Sequence, residues 1–338
     1  MTTMREVAER AEVSVATVSR VINSIGYVSP DLKERVREAM HALNYQPSAL
    51  ARSLRRQETR TIGVLLPQVD QPFFAALAFA IETALFESDY RMLLCSAQED
   101  EEKESTYAEI LVRQRVDGII LVPTGRGTAL PELFAKRALP LVLVDRDLAG
   151  LDASRVMVDN YRGGYEGMAH LLSQGHRRVR VIASTAYSRA MQQRIAGAEQ
   201  AMHDYGVARD GELIVTGMLP QFDMGVEAAA TLLDSPERPT GIFALTDVTA
   251  VGVMHAAAKR GLSIPRDVSV VGFDNIPLAG YMIPSLTTVA QPIYEIGAHA
   301  TRLLLAHIDN PTLPPESIVL DTQLVIREST MPPAEALA

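Results

Sequence analysis

The sequence is poor in cysteine and has no long uninterrupted apolar run. Cys95 is the single cysteine, so no disulfide can form within the chain. No window has the uninterrupted apolar length of a membrane span, and residues 1–5 are followed by Glu6 rather than by the apolar core of a signal peptide. These absences favour a cytoplasmic protein that does not contact a membrane.

The motifs of common nucleotide-dependent and metal-dependent enzymes are also missing. No glycine-rich phosphate loop of the Walker type occurs, and no G-x-G-x-x-G follows the first predicted strand of the body. The seven histidines are scattered, without the spacing of H-E-x-x-H or of Cys/His zinc ligands. We therefore expect no metal, no cofactor and no enzymatic activity.

The segment 7–23 predicts two short helices joined by a tight turn. Apolar residues fall at helical spacing from Val7 to Ala11, the period breaks at residues 12–14, and it resumes from Val18 to Ile22. Two helices that share one small apolar seam form a helix-turn-helix. The second helix of this motif enters the major groove of DNA, so the pattern indicates a DNA-binding head.

Capping residues agree with this interpretation. Thr3 stands three residues before Glu6, a capping box that opens the first helix, and Ser14 is placed to accept from the first N–H groups of the second. Ser29 followed by Pro30 indicates a third helix, whose apolar face would close the small core. That face carries Leu32, Val36, Ala39, Met40 and Leu43.

Charge is divided unevenly along the chain. The net charge is −9, but residues 1–60 carry +3 and the remainder carries −12. An acidic body disfavours non-specific binding to polyanions, while a local basic patch can contact phosphate groups. The pair Arg55-Arg56 alone would be a solvated linker; placed after a helix-turn-helix, it indicates phosphate contact.

From residue 61 short apolar strands alternate with helical stretches. Near-continuous branched apolar runs predict strands buried on both faces, as in parallel sheets covered by helices. They form two sets, which predict an α/β core of two doubly wound lobes. The first set is 61–66, 91–94, 118–122 and 141–144, and the second is 179–182, 241–245 and 268–273.

The chain is expected to cross between the lobes more than once. The first crossover is predicted at Asp159-Asn160, and later ones near 290–291 and 321–322. Each lobe would then be discontinuous in sequence. The predicted limits are 61–159 with 291–320 for the first lobe, 160–290 with 321–329 for the second, and a frayed tail at 330–338.

Polar side chains follow several predicted strands, where ligands bind in open α/β sheets. Carboxylates, guanidinium groups and a paired aromatic suit a polyhydroxylated ring. Asp accepts from neighbouring hydroxyls, Arg donates to oxygen, and Phe covers the apolar face. The candidates are Gln71, Phe73, Phe74, Asp145, Arg146, Ser188, Arg189, Arg194, Thr246, Asp247, Asp274 and Gln291.

Plainer interpretations exist for several of these residues. Phe73 and Phe74 at a helix start are more often core than ligand contacts. Asp247 and Asp274 can each cap the following helix, and Asp247 suits that role well. Asp145-Arg146 can be a surface ion pair.

A series of motifs, in order along the chain, carries a family resemblance. They are Glu6-Val7-Ala8, Val13-Ser14, Thr17 to Asn23, Val28-Ser29, Tyr45-Gln46-Pro47-Ser48 and Ala51-Arg52-Ser53-Leu54. With them the chain resembles the lactose-repressor/galactose-repressor family of bacterial transcription regulators, in its ribose- and purine-repressor-like branch. The similarity extends to about residue 329. It implies a DNA-binding head at 1–57 with a hinge helix at about 48–55, and a periplasmic-binding-protein-like core at 61–329 for effector binding and dimerisation.

The resemblance implies binding to palindromic double-stranded operator DNA by a homodimer or a tetramer. Val15, Ala16 and Arg20 match the family's specificity positions, with Arg20 on guanine. Leu54 matches a leucine that wedges into the minor groove at the operator centre. The DNA-binding candidates are Thr3, Ser14, Val15, Ala16, Thr17, Ser19, Arg20, Asn23, Tyr45, Ala51, Arg52, Leu54 and Arg55.

The resemblance also implies a sugar pocket shared with periplasmic pentose and hexose binders. Gln71 and Thr246 depart from it, because each stands where an asparagine is usual. Arg146 stands where the purine-binding member has tryptophan, which argues against a purine effector. Three arginines, at 146, 189 and 194, leave an acidic or phosphorylated sugar open. The residues that match sugar contacts are Phe73, Phe74, Asp145, Arg146, Arg194, Asp274 and Gln291.

We expect a transcriptional regulator, a repressor first, whose operator affinity is switched by a small sugar between the lobes. Ribose or another pentose is the first expectation, and a hexose, sugar acid, sugar phosphate or nucleoside the alternative. A stand-alone sugar-binding protein is opposed by the helix-turn-helix and the missing signal peptide. A sugar enzyme is opposed by the missing dinucleotide loop. The sequence leaves open repressor against activator, and inducer against corepressor.

Overall fold

The computed structural model describes most of the chain. The described residues are 2–23, 26–45, 58–125, 130–135, 139–183, 188–207, 214–216 and 221–334. The chain divides into two compact units, Met1–Thr59 and Arg60–Ala338. Each unit has its own apolar core.

The first unit contains three helices around a small core. They are α1 Met4–Arg10, α2 Val15–Asn23 and α3 Pro30–Ala42. Val7, Val18 and Val36, one from each helix, are fully buried against one another. The apolar seam predicted from the sequence is therefore the core of this unit, and the expected helix-turn-helix is confirmed.

The helix starts form as the capping residues predict. The capping box is complete: the Glu6 amide donates to Thr3 Oγ1 at 3.3 Å, and the Thr3 amide donates to the Glu6 carboxylate at 2.7 Å. The Thr17 amide donates to Ser14 Oγ at 3.1 Å, and the Ser29 side chain accepts from Leu32 ahead of α3. These bonds satisfy amides that have no partner within their own helix.

The second unit alternates strands and helices along the chain. Its strands are β1 Thr61–Leu66, β2 Arg91–Ser96, β3 Gly118–Leu121, β4 Leu141–Val144, β5 Ser154–Val158, β6 Val179–Ala183, β7 Ile214–Thr216, β8 Gly241–Ala244, β9 Ser269–Asp274, β10 Thr287–Ala290, β11 Ser317–Leu320 and β12 Gln323–Val325. Its helices are α4 Pro72–Glu87, α5 Glu101–Arg113, α6 Leu130–Ala135, α7 Asn160–Ser173, α8 Arg189–Asp204, α9 Gln221–Leu233, α10 Asp247–Lys259 and α11 Ile293–Asp309.

Two six-stranded sheets make up this unit, and we call them the first and second lobes. The first has the order β11-β5-β4-β3-β1-β2 and the second β12-β10-β9-β8-β6-β7. Apolar clusters lie on both faces of each sheet; in β3, for example, Ile119 and Ile120 belong to different clusters. The expected doubly wound, two-lobed α/β core is confirmed.

The connections place one chain in both lobes. The chain leaves the first sheet after β5 and returns to it with α11, which packs on α4 and on β3, β4 and β5. It then completes the first sheet with β11 and crosses once more to β12. Three covalent connections therefore link the lobes.

Two details of the sheets differ from the sequence prediction. Strand β12 runs antiparallel to β10, so the second sheet is not wholly parallel. Strand β2 is not buried on both faces: Leu93 and Leu94 are exposed. The physical reason is position, since β2 is the edge strand of its sheet and pairs only with β1.

The expected fraying from residue 330 onward is wrong for Thr330 and Met331. His170 Nε2 lies 2.9 Å from Thr330 Oγ1, and the Met331 amide donates to Ser269 Oγ at 3.1 Å. His176 Nε2 lies 3.0 Å from the Met331 carbonyl. These hydrogen bonds tie the segment to residues far away in the chain, which local sequence does not reveal. Among the described residues, no helix is long and apolar enough to cross a membrane.

Candidate functional site

Burial divides helix α2 into a core face and an outer face. Val18 is fully buried, whereas Val15, at 45% exposure, Ala16 and Arg20 are exposed. The exposed three are the residues expected to face DNA bases. Arginine presents a planar fork that pairs with guanine, and small apolar side chains can contact a thymine methyl.

The other predicted DNA contacts of the head have varied surroundings. Thr17 is half-buried and its hydroxyl lies 2.9 Å from Ser14 Oγ, so both take part in the turn. Thr3 belongs to the capping box, Ser19 is half-buried, and Tyr45 packs against the head core. For Asn23 the structure gives only its place at the end of α2. The predicted contacts Ala51, Arg52, Leu54 and Arg55 lie outside the described residues, as does the whole of the hinge helix predicted at about 48–55.

In the second unit the predicted effector residues follow the carboxyl ends of strands in both lobes. Asp145 comes directly after β4 with a left-handed φ of 63°, and Asp274 ends β9 with a φ of 113°. Such φ values are unusual for residues with a side chain, and they occur in turns and at ligand-binding sites. Both carboxylates are buried.

Arg194 connects several of these groups from α8. Its Nε donates to Asn160 Oδ1 at 2.7 Å, and its Nη1 donates to the Leu245 carbonyl at 2.8 Å and lies 3.4 Å from Asp274 Oδ1. The guanidinium also stacks 3.6 Å from the ring centroid of Phe273. The side chain is thus held rigidly while it is buried.

Gln291 completes the group on the second-lobe side. Its Nε2 donates to Asp274 Oδ1 at 2.8 Å. Its Oε1 atom and Asp145 Oδ1 are buried, and neither accepts a hydrogen bond from any residue that the structure describes. Since buried polar atoms are normally paired, both are acceptors that a ligand can satisfy. We call Asp145, Arg146, Arg194, Asp274 and Gln291 the carboxyl-end cluster.

Burial shapes the protonation of the two aspartates. It raises the pKa of Asp274 to about 7, against the opposing effects of Arg194 and of the Gln291 hydrogen bond. Burial likewise raises the pKa of Asp145, against the opposing charges of Arg146 and Arg194. The neighbouring charge of Asp145 adds to the raised pKa of Asp274, and that of Glu99 adds to the raised pKa of Asp145.

Arg146 is paired with a residue that the sequence did not indicate. Its Nη1 and Nη2 donate to the two carboxylate oxygens of Glu99 at 2.9 and 2.8 Å, and Nη1 lies 3.4 Å from the Pro123 carbonyl. The guanidinium lies 5.4 Å from the ring centroid of Phe74. Asp145 Oδ2 is 3.8 Å from Arg146 Nε.

The two phenylalanines lie at the start of α4. Their ring centroids are 5.2 Å apart in an edge-to-face arrangement, and both belong to the core of the first lobe. Both are therefore core residues, as their plainer interpretation has it. Phe74 also lies close to the Arg146 guanidinium. Gln71 is the half-buried N-cap residue of α4, without a side-chain capping bond.

Other predicted effector residues serve the framework. Thr246, not Asp247, caps α10, and the Thr249 amide donates to Thr246 Oγ1 at 3.2 Å. The Asp247 carboxylate instead accepts from the Ile276 amide at 2.8 Å and from Thr288 Oγ1 at 2.5 Å. The expectation that Asp247 caps the helix is therefore wrong. Asp247 is the first residue inside α10, and its side chain bonds Ile276 and also Thr288 of β10, so it joins three segments of the second lobe.

Ser188 and Arg189 open α8. Ser188 caps the helix by accepting from the Met191 amide at 3.1 Å. Arg189 Nη1 lies 3.7 Å from Asp147 Oδ2, which links the second lobe to the first. Asp147 also accepts from Arg155 Nε at 2.8 Å. Arg189 is thus an exposed bridge between the lobes.

Comparison with known proteins decides the family. Residues 3–48 match the model for bacterial regulatory proteins of the lacI family, and residues 168–330 match that for a periplasmic binding protein-like domain. The ribose operon repressor of Halalkalibacterium halodurans is 39% identical over 98% of this chain and 97% of its own. This chain belongs to the lacI family.

Solved structures of family members agree with the assignment. The lac repressor dimer bound to operator and the anti-inducer ONPF superposes with a TM-score of 0.86 at 25% identity, covering 98% of this chain and 99% of that one. A ribose-bound lacI-family regulator from Enterococcus faecium has a TM-score of 0.74 at 34% identity, over 80% of this chain and 99% of its own.

As a lacI-family member, the chain is a DNA-binding transcriptional regulator. Family membership also confirms the expectation that it is not an enzyme, since its relatives are regulators. In the parts of the chain that the structure describes, no group of three or more His, Cys, Asp or Glu side chains is placed to hold a metal ion.

Sequence reasoning missed two residues that accept hydrogen bonds from the arginines of the carboxyl-end cluster. Asn160 was singled out only as a crossover residue, although its amide holds Arg194. Glu99 lies in an acidic stretch whose members look alike in sequence. The predicted crossover at Asp159-Asn160 was the usable signal for Asn160; for Glu99 the sequence offered none.

Proposed function

We propose that this regulator is a repressor whose operator affinity is switched by a small sugar bound at the carboxyl-end cluster. One observation carries the proposal: Asp145 Oδ1 and Gln291 Oε1 are buried acceptors without a partner among the described residues, and they lie beside the Arg194–Asp274 pair. Unpaired buried acceptors call for a ligand that donates several hydrogen bonds. Neighbouring hydroxyl groups of a sugar have this property.

Each residue of the cluster has a role in this proposal. Asp145, Asp274 and Gln291 accept from sugar hydroxyls, and Arg146 and Arg194 donate to sugar oxygens. Phe73 and Phe74 offer an apolar surface to one face of the ring. Ribose or another pentose is the first candidate. This choice is supported by the ribose operon repressor at 39% identity and by the ribose-bound relative.

The head is proposed to bind a palindromic operator. Helix α2 would enter the major groove with Arg20 on guanine, while Thr17, Ser19 and Asn23 contact phosphates. The hinge residues Ala51, Arg52, Leu54 and Arg55 would follow the minor groove. A leucine wedge at the operator centre would bend the duplex.

A homodimer is proposed for assembly on such an operator. In the second unit, exposed apolar side chains lie on α4 and on the adjacent edge strand β2: Phe79, Phe86, Leu93 and Leu94. An uncovered edge strand is an aggregation hazard, and pairing with a second copy covers it. The dimeric form of the operator-bound lac repressor supports this proposal.

Effector binding is proposed to act through the angle between the lobes. The cluster draws Asp145 from the first lobe and Asp274 from the second, so a bound sugar favours one relative orientation. The two first lobes of a dimer would move with it and change the spacing of the two hinge segments. For an inducer this spreads the hinges and releases DNA, with a coupling of about 1–3 kcal/mol.

A thermal-shift screen of pentoses, hexoses, sugar acids, sugar phosphates and nucleosides tests the proposal. We expect ribose or another neutral sugar to stabilise the parent, with little effect on Asp274→Ala and Arg146→Ala. The matched control Asp152→Asn removes an exposed carboxylate in the β4–β5 loop and should respond like the parent. Stabilisation by a nucleoside alone, or equal stabilisation of all variants by a sugar, would refute the proposed pocket.

A gel-shift titration with genomic fragments tests the DNA half of the proposal. The parent should retain a palindromic fragment at concentrations at which it leaves random DNA free, and the stabilising sugar should change that retention. A sugar that stabilises the protein without altering operator affinity would leave a sugar-binding DNA-binding protein, and would contradict the switch.

A further inference from the structure

The guanidinium of Arg146 is already occupied by a carboxylate. The two carboxylate oxygens of Glu99 each accept a hydrogen bond from one terminal nitrogen of Arg146, at 2.8 and 2.9 Å. The Arg146 side chain is 14% exposed and that of Glu99 is 42% exposed, so the pair lies where the cluster meets solvent. A carboxylate bound in this way offsets the charge of the arginine and occupies the fork of donors that another anion would use.

The backbone that carries Glu99 adopts an unusual conformation to place it there. Gln98 and Glu99 are both left-handed, with φ values of 56° and 55°, although neither is glycine. The Glu99 amide donates to the Pro67 carbonyl at 2.9 Å, which anchors the turn to the segment after β1. Strained conformations of this type persist where the surrounding structure enforces them and are found at functional sites.

The carboxyl groups around the cluster are at least as numerous as its arginines. Arg146 and Arg194 supply two positive charges, and the carboxyl groups of Glu99, Asp145 and Asp274 surround them. Burial, together with the neighbouring Asp274, raises the pKa of Asp247 well above its usual value. Glu104 adds one more carboxyl group, buried near Arg146 and bonded to Thr124.

We propose that Glu99 is a specificity-determining residue that restricts the effector to uncharged sugars. This inference rests on the proposed sugar site and narrows its ligand class. A sugar acid or sugar phosphate would bind Arg146 most strongly by a two-bond carboxylate or phosphate contact. To do so it has to displace Glu99, and it then leaves that carboxylate unpaired near Asp145.

Glu99 is suited to act on selectivity rather than on stability. Ion pairs with a partner that is partly exposed contribute little to folding, because water and salt screen them. Replacing Glu99 by glutamine keeps the shape and removes the charge. The fold is therefore expected to persist while Arg146 becomes available to an anionic ligand.

The test is isothermal titration of the full chain with matched neutral and anionic probes. The probes are D-ribose, D-ribonate and D-ribose 5-phosphate, and D-glucose, D-gluconate and D-glucose 6-phosphate. For the parent we expect binding of a neutral sugar and none of its anionic partners. For Glu99→Gln we expect the affinity for an anionic partner to rise by about tenfold or more, with the gain reduced by added salt.

Two further variants make the result specific. Glu99→Asp keeps the charge and should still reject the anions. Glu102→Gln removes an exposed carboxylate of the same acidic stretch and should behave like the parent. Circular dichroism and thermal melting of each variant establish that it is folded before the titrations are compared.

The possible outcomes separate this inference from the proposed function. A parent that binds a neutral sugar, with a folded Glu99→Gln variant that still rejects the anions, overturns the role of Glu99 and leaves the sugar site standing. A parent that binds an anionic sugar more tightly than its neutral partner also overturns the charge exclusion alone. A parent that binds none of the six probes overturns the inference together with the sugars proposed for the site.

Discussion

At the scale of single residues, charge and its surroundings determine what each site can recognise. Arg20 is exposed on α2 and carries the head's candidate for base contact, while Asp274 is buried with a pKa raised to about 7. Arg20 is accessible to a large partner such as DNA, whereas Asp274 is buried, where a small ligand would change its surroundings. Both therefore allow sharp tests.

We expect Arg20→Ala to weaken operator binding by about 1–3 kcal/mol and binding to random DNA only slightly, because the arginine pairs with a base. Gel shifts on operator and random duplexes at one fixed salt concentration measure both losses. The control is Arg37→Ala, an exposed arginine on α3. Equal losses on the two duplexes would show that Arg20 contacts only the backbone.

Protonation of Asp274 should make stability depend on pH. Its pKa is raised from 3.8 to about 7 by folding, so between these values the folded chain holds a proton that the unfolded chain has lost. The contribution is fully present below pH 3.8 and is lost as pH rises to about 7, with a slope of up to about 1.4 kcal/mol per pH unit. Denaturant unfolding without ligand should show a shallower decline for Asp274→Asn than for the parent; identical declines would contradict the buried, protonated carboxyl.

At the scale of elements, close helix contacts hold the arginine of the cluster in place. Helices α7 and α8 touch through glycine: a Cβ on Gly197 would lie 2.0 Å from the Tyr161 carbonyl oxygen, and one on Gly164 would lie 2.1 Å from that of Arg194. The same two helices carry Asn160 and Arg194, which are hydrogen-bonded. The position of the guanidinium thus depends on how closely the helices pack.

We expect Gly197→Ala to force α8 away from α7, at a cost of about 1–3 kcal/mol in unfolding free energy, and to weaken effector binding. Thermal unfolding and sugar titration measure the two effects. Ala196→Gly, an exposed change on the same helix, should cost about 1 kcal/mol through helix propensity and leave sugar affinity unaltered. Unchanged sugar affinity in folded Gly197→Ala would separate the packing from the site.

The hinge helix predicted at about 48–55 is too short to be stable alone and should form only when paired across a dimer on DNA. We expect Leu54→Ala to weaken operator binding and abolish bending, because the wedge into the minor groove is lost. A circular-permutation gel assay measures the bend, and sugar titration should remain as in the parent. A fully bent complex with the variant would be incompatible with the wedge.

At the scale of the whole molecule, the second unit has the features expected of an assembly module. It contains apolar clusters on both faces of two sheets, and also exposed apolar side chains such as Phe86 and Ile283, at 73% and 98% exposure. Large exposed apolar groups at several places mark surfaces that a partner covers. A palindromic operator is matched by a symmetric dimer.

Removal of residues 1–60 should therefore leave a dimer that still binds the effector. Sedimentation equilibrium and sugar titration of the fragment measure this. In the full chain, Phe86→Asp should favour the monomer, because it places a charge on the apolar surface of α4 and β2 that the dimer would bury, and operator affinity should fall with it. A fragment that sediments as a monomer at all concentrations would place the interface in the head instead.

Local pattern was sufficient for the elements with strong signals. The branched apolar runs at β1, β3, β4, β6, β8 and β9 predicted strands that the structure contains. The capping residues Thr3, Ser14 and Ser29 predicted the helix starts of the head. Weaker signals were missed: β5 alternates buried and half-buried residues, β11 alternates exposed and half-buried residues, and β7 and β12 are only three residues long.

The sequence alone determined the class of protein, because hydrophobic periodicity, caps and ordered motifs are local properties of neighbouring residues. It also placed candidates for the site after the strands, since parallel strands expose their carboxyl ends at one edge. Only the tertiary structure decided which candidates meet. Asp247 holds segments of the second lobe together, and Glu99 pairs with Arg146, which lies 47 residues further along the chain. Pairing of buried charges depends on distances between segments far apart in the chain, and no local pattern encodes those distances.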